Sequence, residues 1–508
     1  MIDTSVDRYH ERAAFPGVRM MISVLGNRKQ TCDGLTRRDA LTAGGLSLLG
    51  ASLPDLLAAE SAQGGPGRNS TFPGNGPAKN VILVYLFGGP PLHDTFDPKF
   101  QAPKEIRGEF GATATDVPGV HFCELLPQVS RWMGRSTLIR SARHHTNDHS
   151  AGLLYTMTGK PAAKVQPSVP ILPTQAPSMN SVIEYLSRHE HRELPASVWM
   201  PCYTGWGQNS IRPGLYGGFL GRRFDPFITK CKVHSDKPAK YAHPERTLGR
   251  VLLPDVTLPE QLTLDRLERR RSLSEQFSRE VNRLERTGAV EAFDRNHRRA
   301  YDLLTSTNRP NSPWRAFDVS GEPTALQTRY GNNLYGHSML TARRLVEAGV
   351  RFVTVTWEVF ETAKIDLDGW DTHQRNFHIL RDHRLPVFDQ AYSALCKDLD
   401  DRGLLDETLL LVMGEMGRTP KVNSRGGRDH WSFCSNILMT GAGVKQGYVH
   451  GHSDKIGAYP ADRPVGPEAL IATVYAAMGL DTTMSIHDPS NRPHPIAQRG
   501  NPVADILA

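Results

Sequence analysis

Apolar runs of strand length recur along this chain, each followed by a Gly-rich or acidic turn. Asn80 to Phe87 reads NVILVYLF and stops at Gly88-Gly89-Pro90-Pro91. A strand that is apolar on both of its alternating faces belongs in a sheet covered on both sides. Ser136 to Ala142, Arg351 to Trp357, Thr408 to Met413 and Ser435 to Met439 repeat the pattern, and Ser197 to Tyr203 is a weaker instance. Helical stretches lie between them: a segment ending at Thr158-Gly159, residues 334–348 stopped by Gly349, residues 377–402, and Pro467 to Met478. Strands alternating with helices predict an α/β domain over residues 80–508, a doubly wound and mostly parallel sheet with helices on both faces.

Residues 204–330 interrupt this rhythm. The first part is rich in Gly and Pro. From about Leu262 to Thr305 the pattern is helical, with Leu273, Phe277, Val281 and Leu284 on one stripe of a highly charged helix. A helical and irregular cap inserted into the sheet domain accounts for both.

The first 62 residues read differently. Thr36-Arg37-Arg38-Asp39 precedes a small and apolar run from Ala40 to Leu53, too short to span a bilayer as a helix. With Ala58, Ala59 and Ala62 near its end, it reads as a secretory leader of the twin-arginine form. The stretch ahead of Thr36 is long for a leader, and Met20 and Met21 offer alternative starts. Residues 63–79, rich in Gly, Pro, Ser and Asn, read as a flexible linker. The sequence thus predicts export by the twin-arginine machinery to the periplasm or beyond.

Composition narrows the class. Of 508 residues, 39% are hydrophobic and 22% charged, and no apolar run reaches membrane-spanning length. A net charge of +7 with scattered Lys and Arg argues against nucleic acid; the one cluster, Arg269-Arg270-Arg271, falls within the helical pattern. Six cysteines, none in metal-type spacing, read as mostly structural, with at most one or two disulfides.

Several of the 20 histidines fall with acidic residues in the Gly-rich junctions where the strands end. Asp94 follows the first strand. Arg143-His144-His145-Thr146-Asn147-Asp148-His149 follows the second. Asp366, Asp368, Asp371 and His373 follow RFVTVTW. Glu415, Arg418, Asp429 and His430 follow TLLLVM. Ligands of such sheets bind outside the carboxyl ends of the strands. Imidazole mixed with carboxylate suits Zn or Mn, while carboxylate alone leans towards Ca or Mg. A divalent metal held by Asp371, His373, Glu415 and His430 is the expectation, with Asp94 and His149 as weaker candidates for a second ion. Asp429 is expected to orient His430 or pair with an arginine. Hydrolysis of a phosphate or sulfate ester builds charge that cations and an arginine fork, Arg418 or Arg143, can stabilise. Thr146, at a strand-to-helix junction, is the favoured side-chain nucleophile; the competing reading is a helix N-cap. Without chemistry, the same clusters would make a polar cleft held by Asp–His and Arg–carboxylate bonds.

The motifs GGPP-LHDTFDPK, GWDTH, GEMGRTP and GRDHW, with FDPF, AFDVSGEP and ARRLVEAGVRFVTVTW as spacers, resemble the bacterial family called domain of unknown function 1501. That family looks like a branch of the alkaline phosphatase superfamily, which includes sulfatases. The stretch from Asp406 to Gly417 is similar to the superfamily's late strand ending in an Asp-His metal pair. The stretch from His149 to Gly159 is similar to the nucleophile helix of sulfatases. Two departures stand out. Glu415-Met416 replaces the Asp-His pair, and His149 stands where a sulfatase has its modified Cys or Ser. The resemblance implies an exported metal-dependent hydrolase of phosphate or sulfate esters, acting on a small molecule or a polysaccharide. The departures imply the alternative, an exported binding or assembly protein that keeps the fold and the cleft.

The leader makes a direct prediction. Arg37→Lys combined with Arg38→Lys should leave precursor in the cytoplasm, because the carrier reads that pair as an address. Cell fractionation checks this, and normal export of the double variant would refute it.

Overall fold

Asn80–Tyr85 (β1) sits at the centre of an eight-stranded sheet and is buried along its whole length. The computed structural model describes residues 72–163, 169–190, 192–205, 210–234, 248–254, 311–357 and 369–508. The leader, most of the linker, the charged helical stretch with its arginine cluster, and Asp366 and Asp368 lie outside the described residues.

The other strands of this sheet are Ser136–Ala142 (β2), Ser197–Met200 (β3), Phe227–Ile228 (β4), Phe352–Thr356 (β5), Thr408–Met413 (β6), Ser435–Gly441 (β7) and Tyr448–His450 (β8). Their order across the sheet is β8-β2-β7-β6-β1-β5-β3-β4. All run the same way except β7, which is antiparallel to both neighbours. The reason is local. Residues 414–434 contain no crossover helix, so the chain turns back at the edge it has just reached.

Alternation along β1 assigns the two faces. Ile82 and Val84 join a core with α3 (Leu334–Glu347) and α4 (Leu385–Asp401). Val81, Leu83 and Tyr85 join a second core with α1 (His149–Thr158), α2 (Met179–Leu186) and α5 (Pro467–Ala477). The expected doubly wound α/β sheet is therefore the one observed. Sequence patterning missed α2, one helix of eight residues, and the short edge strands β4 and β8. The helix expected over 377–402 is present but carries a wide π turn at Leu380–Arg384, just ahead of Pro386. Proline lacks an N–H and its ring crowds the carbonyl four residues back, so the ladder widens there.

The described parts of 204–330 are built into the sheet domain. Phe227–Ile228 supplies an edge strand, and Trp314, Phe317 and Tyr330 enter the first core. Four of the five described cysteines are buried, and no disulfide forms among the described residues.

Two buried contacts pin the loops at the carboxyl edge. Arg428 and Asp94 are fully buried and paired, Nε to Oδ2 at 2.8 Å and Nη2 to Oδ1 at 3.3 Å. The Asn376 amide also donates to Asp94 Oδ2 at 2.9 Å, and Arg428 donates to the carbonyls of Ile106 and Pro420. In the second contact, buried His144 donates from Nε2 to the Glu415 carbonyl at 2.6 Å, and its Nδ1 accepts from the Thr146 N–H at 3.1 Å. This ties the loop after β2 to the loop after β6.

Each contact has a measurable consequence. Asp94→Ala leaves a buried guanidinium without its counter-charge and should cost ~3–5 kcal/mol in urea unfolding. Asp94→Leu combined with Arg428→Met should recover most of that loss; a double variant no more stable than the single would contradict the charge argument. Burial holds the His144 imidazole down at about 4, against the opposing bond to the Glu415 carbonyl. The unfolded chain therefore binds a proton that the folded one refuses, between about 6.5 and about 4. Stability should fall as pH drops through that window, by roughly 3 kcal/mol at most. His144→Gln should flatten the slope measured by denaturation across that range.

Candidate metal centre

Strands β1, β2, β5 and β6 run in one direction, so the loops that follow them meet at one edge. They carry, in order, Gly88 and Gly89; Asn147 and His149; Asp371 and His373; and Glu415 and Arg418. His430 arrives on the return leg, where His430–Trp431 pairs antiparallel with Gly417–Arg418. His149 opens α1, whose N-cap is Asp148; the Asp148 carboxylate accepts from the Ala151 N–H at 2.8 Å.

Three imidazoles converge on the Asp371 carboxylate. His149 Nε2 lies 3.1 Å from Oδ2. His373 Nε2 and His430 Nε2 lie 3.0 and 3.4 Å from Oδ1, and 2.9 Å from each other. The far nitrogen of each ring faces an acceptor. His149 Nδ1 meets Glu415 Oε1 at 2.6 Å, His373 Nδ1 meets Asp429 Oδ1 at 2.7 Å, and His430 Nδ1 meets the Asn147 carbonyl at 2.9 Å. Each Nδ1 therefore donates, and in a neutral ring each Nε2 is a bare lone pair. Three bare nitrogens around a carboxylate form an all-acceptor pocket, which a cation satisfies. Ligating histidines are oriented in this way, with the second N–H given to a carboxylate or carbonyl. Ligand atoms of His149, Asp371 and His430 all lie within 4.8 Å of one another, suited to one shared ion. Glu415 Oε2 is buried with no hydrogen-bond partner among the described residues. The donor set fits a divalent metal.

Protons on the imidazoles can do part of this work. Burial alone would depress His149, but its bonds to Asp371 and Glu415 outweigh that and push it up to about 9. The bond to Asp371 also raises His373. Burial opposes ionisation of Asp371, yet Arg418 and the three imidazoles hold it well below the usual carboxylate range.

The structure brings Asp371, His373, Glu415, His430 and His149 into one hydrogen-bonded cluster. It gives several of them roles other than those expected. Glu415 lies behind His149 and also accepts the Gly88 N–H at 2.8 Å, so it orients a ring and holds the first loop. Asp429 orients His373 and not His430. Asp94 is outside the cluster, paired with Arg428. Arg418 is fully buried, and its guanidinium is spent within the protein: Nη2 donates to Asp371 Oδ1 and the Gly88 carbonyl, Nε to the Gly89 carbonyl at 3.1 Å, and Nη1 to the Arg428 carbonyl at 3.2 Å. It positions Asp371 and is no free fork for a substrate oxyanion. Arg143 is exposed. Thr146 is buried beside His144, no hydrogen bond joins its hydroxyl to the cluster, and the cap of α1 is Asp148.

The Gly-Gly turn is a requirement of this packing. Gly88 has φ +111°, and a Cβ there would meet the Asp371 nitrogen at 2.3 Å. Two contributors were invisible in the sequence. Asn147 acts through its backbone carbonyl, which no side-chain pattern marks. Arg212, from the irregular 204–330 segment, donates to Ser150 Oγ at 3.0 Å and lies 5.1 Å from the Phe87 ring, itself 5.4 Å from the His149 ring.

Among solved structures the chain is similar to a phosphonate monoester hydrolase from Silicibacter pomeroyi, at 10% identity and TM-score 0.33, covering 85% of this chain and 76% of that one. It is similar to a protein in the alkaline phosphatase superfamily from Vibrio parahaemolyticus, at 12% identity and TM-score 0.36, covering 89% and 78%. It is also similar to the PsFucS1 sulfatase from Pseudoalteromonas sp., at 11% identity and TM-score 0.34, covering 84% and 70%. No curated protein matches the sequence. The model of the family described as protein of unknown function, DUF1501, matches residues 78–507, and the chain belongs to that family.

Proposed function

We propose that this protein is an exported, metal-dependent hydrolase of phosphate or sulfate esters, borne by a small molecule or a polysaccharide. One observation carries the reading: three imidazoles, each fixed through Nδ1 by an acceptor, aim Nε2 at the single carboxylate of Asp371. Three nitrogens and one carboxylate suit Zn or Mn better than Ca or Mg. A divalent cation bound there supplies Lewis acidity to an ester oxygen.

The protein's own residues divide the remaining work. Glu415, Asp429 and the Asn147 carbonyl set the three rings before any substrate arrives. Arg418 offsets the Asp371 charge and holds the Gly88-Gly89 turn against the cluster. Thr146 is not bonded into the cluster, so water is the nucleophile in this reading. The Arg37-Arg38 leader supports action outside the cytoplasm. The locked guanidinium of Arg418 favours the second reading, a non-catalytic exported binding protein that keeps the centre.

Protein purified without chelators should contain about one transition metal per chain. His430→Ala should lose it, together with metal-stimulated hydrolysis of an aryl phosphate or aryl sulfate. Glu415→Gln and Asp429→Asn, which remove the carboxylates that orient His149 and His373, should weaken metal affinity by about 10–100-fold. Metal analysis and titration with a competing chelator read both effects. Metal-loaded wild type that hydrolyses no ester in a broad panel would establish the binding-protein reading; wild type that takes up no metal would reject the centre itself.

A further inference from the structure

An aromatic patch lies one residue beyond the candidate centre. Trp431 follows His430 in the strand His430–Trp431, and consecutive strand residues point to opposite faces. Its indole Nε1 donates to the Ala458 carbonyl at 2.6 Å. Its ring lies 5.0 Å from Phe433 and 5.5 Å from Tyr459, which are 5.9 Å from each other. Trp431 and Phe433 are partly exposed, Tyr459 is 48% exposed, and Ile456 on the same loop is 41% exposed. Single apolar side chains on a surface need no explanation, whereas contiguous ones mark interaction sites.

The loop that presents Ile456 and Tyr459 is fixed from within. The Asp454 carboxylate accepts from the N–H groups of Ile456, Ala458 and Tyr459 at 3.1, 2.8 and 3.1 Å. The Asp454 N–H donates to the Tyr459 carbonyl at 2.8 Å, and buried His93 donates from Nε2 to the Ile456 carbonyl at 2.7 Å. Side chains on a backbone held in this way lose little freedom when a ligand settles on them.

The surroundings are basic. Lys455 and Arg143 are exposed, and neither has an ion-pair partner among the described residues. Arg143 runs alongside Phe433: the His144 N–H, next in the chain, donates to the Ser432 carbonyl at 2.9 Å, and buried Cys434 is within electrostatic reach of both Arg143 and Asp454. Rings and cations together select a ligand. An aromatic face suits the C–H groups of a sugar, and an ammonium or guanidinium suits its sulfate or carboxylate. A bare anion would leave the rings unused, and a neutral sugar would leave the cations unused. A stable protein interface buries about 800 Å² on each partner, more than four apolar side chains less than half exposed supply.

We propose that this patch binds a sugar unit of an anionic polysaccharide, beside the unit whose ester is held at the Asp371 centre. The link between patch and centre rests on the ester-hydrolase reading; binding at the patch does not.

The probes are a chondroitin 4-sulfate hexasaccharide and a hexagalacturonate, with maltohexaose as the neutral control, titrated calorimetrically into the full chain. At least one anionic hexasaccharide should bind saturably, and maltohexaose should bind at least tenfold more weakly. Tyr459→Ala and Lys455→Ala, both at exposed positions, should each weaken binding at least tenfold, about 1.4 kcal/mol, whereas Tyr459→Phe, which keeps the ring, should bind like wild type. Binding should persist in His430→Ala, so loss of the metal centre leaves this result standing. Near-UV circular dichroism confirms that the variants fold; if Tyr459→Ala does not, Lys455→Ala decides alone. Absence of saturable binding to both anionic hexasaccharides, or wild-type affinity in the folded variants, would overturn the proposal. So would a dimer seen by light scattering and lost in Tyr459→Ala, which would assign the patch to a protein contact.

Discussion

The Asp371 carboxylate is the charge on which the carboxyl edge of this sheet is organised. It is three-quarters buried, and a carboxylate so placed is unfavourable unless cations or N–H groups surround it. Arg418 meets this need directly, and the histidines meet it when their Nε2 atoms, which face the carboxylate, carry protons. Each of those groups is in turn held by something else: His149 by Glu415, His373 by Asp429, His430 by a backbone carbonyl, and Arg418 by the carbonyls of Gly88, Gly89 and Arg428. One buried charge thus draws residues from four loops into a single arrangement.

Two arginines shape the candidate centre as much as its histidines do. Arg428 takes Asp94, the acidic residue nearest the end of β1, and seals the pair away from solvent. Arg418 takes one oxygen of Asp371. Acidic groups that a second metal ion would require are therefore already neutralised by fixed guanidinium groups. In the proposed reading, this leaves room for one cation beside a permanent organic positive charge, in place of two cations side by side. The Glu415-Met416 departure fits this arrangement, because Glu415 serves as an orienting carboxylate behind His149.

The supporting scaffold works by direction. Strand β7 runs backwards because the chain reverses without a crossover helix, and that same reversal carries His430 back across the edge. Gly88 and Gly89 let the first loop press against the Asp371 and Met416 segments at distances no Cβ would allow. His144 and the Asp94–Arg428 pair then fasten neighbouring loops to one another. Rigidity of this kind suits a site whose ligands must be in place before anything binds.

Much of this was legible in the residues alone. The all-apolar β1 requires cover on both faces, and the polar clusters at strand ends mark the loops, because strand and helix periodicity are local properties of the chain. Residue types that suit a metal are equally local, so Asp371, His373, Glu415 and His430 could be named from sequence. What sequence could not assign was which nitrogen faces which oxygen. Glu415 bonds the His149 ring, Asp429 bonds His373 and not His430, and Arg418 is an internal clamp, because each depends on distances between loops far apart in the chain. The contribution of Asn147 was hidden for a stricter reason: a backbone carbonyl has no residue type. Local chemistry determined the cast of the site; only the tertiary structure, by fixing three-dimensional distances of about 3 Å, decided the roles.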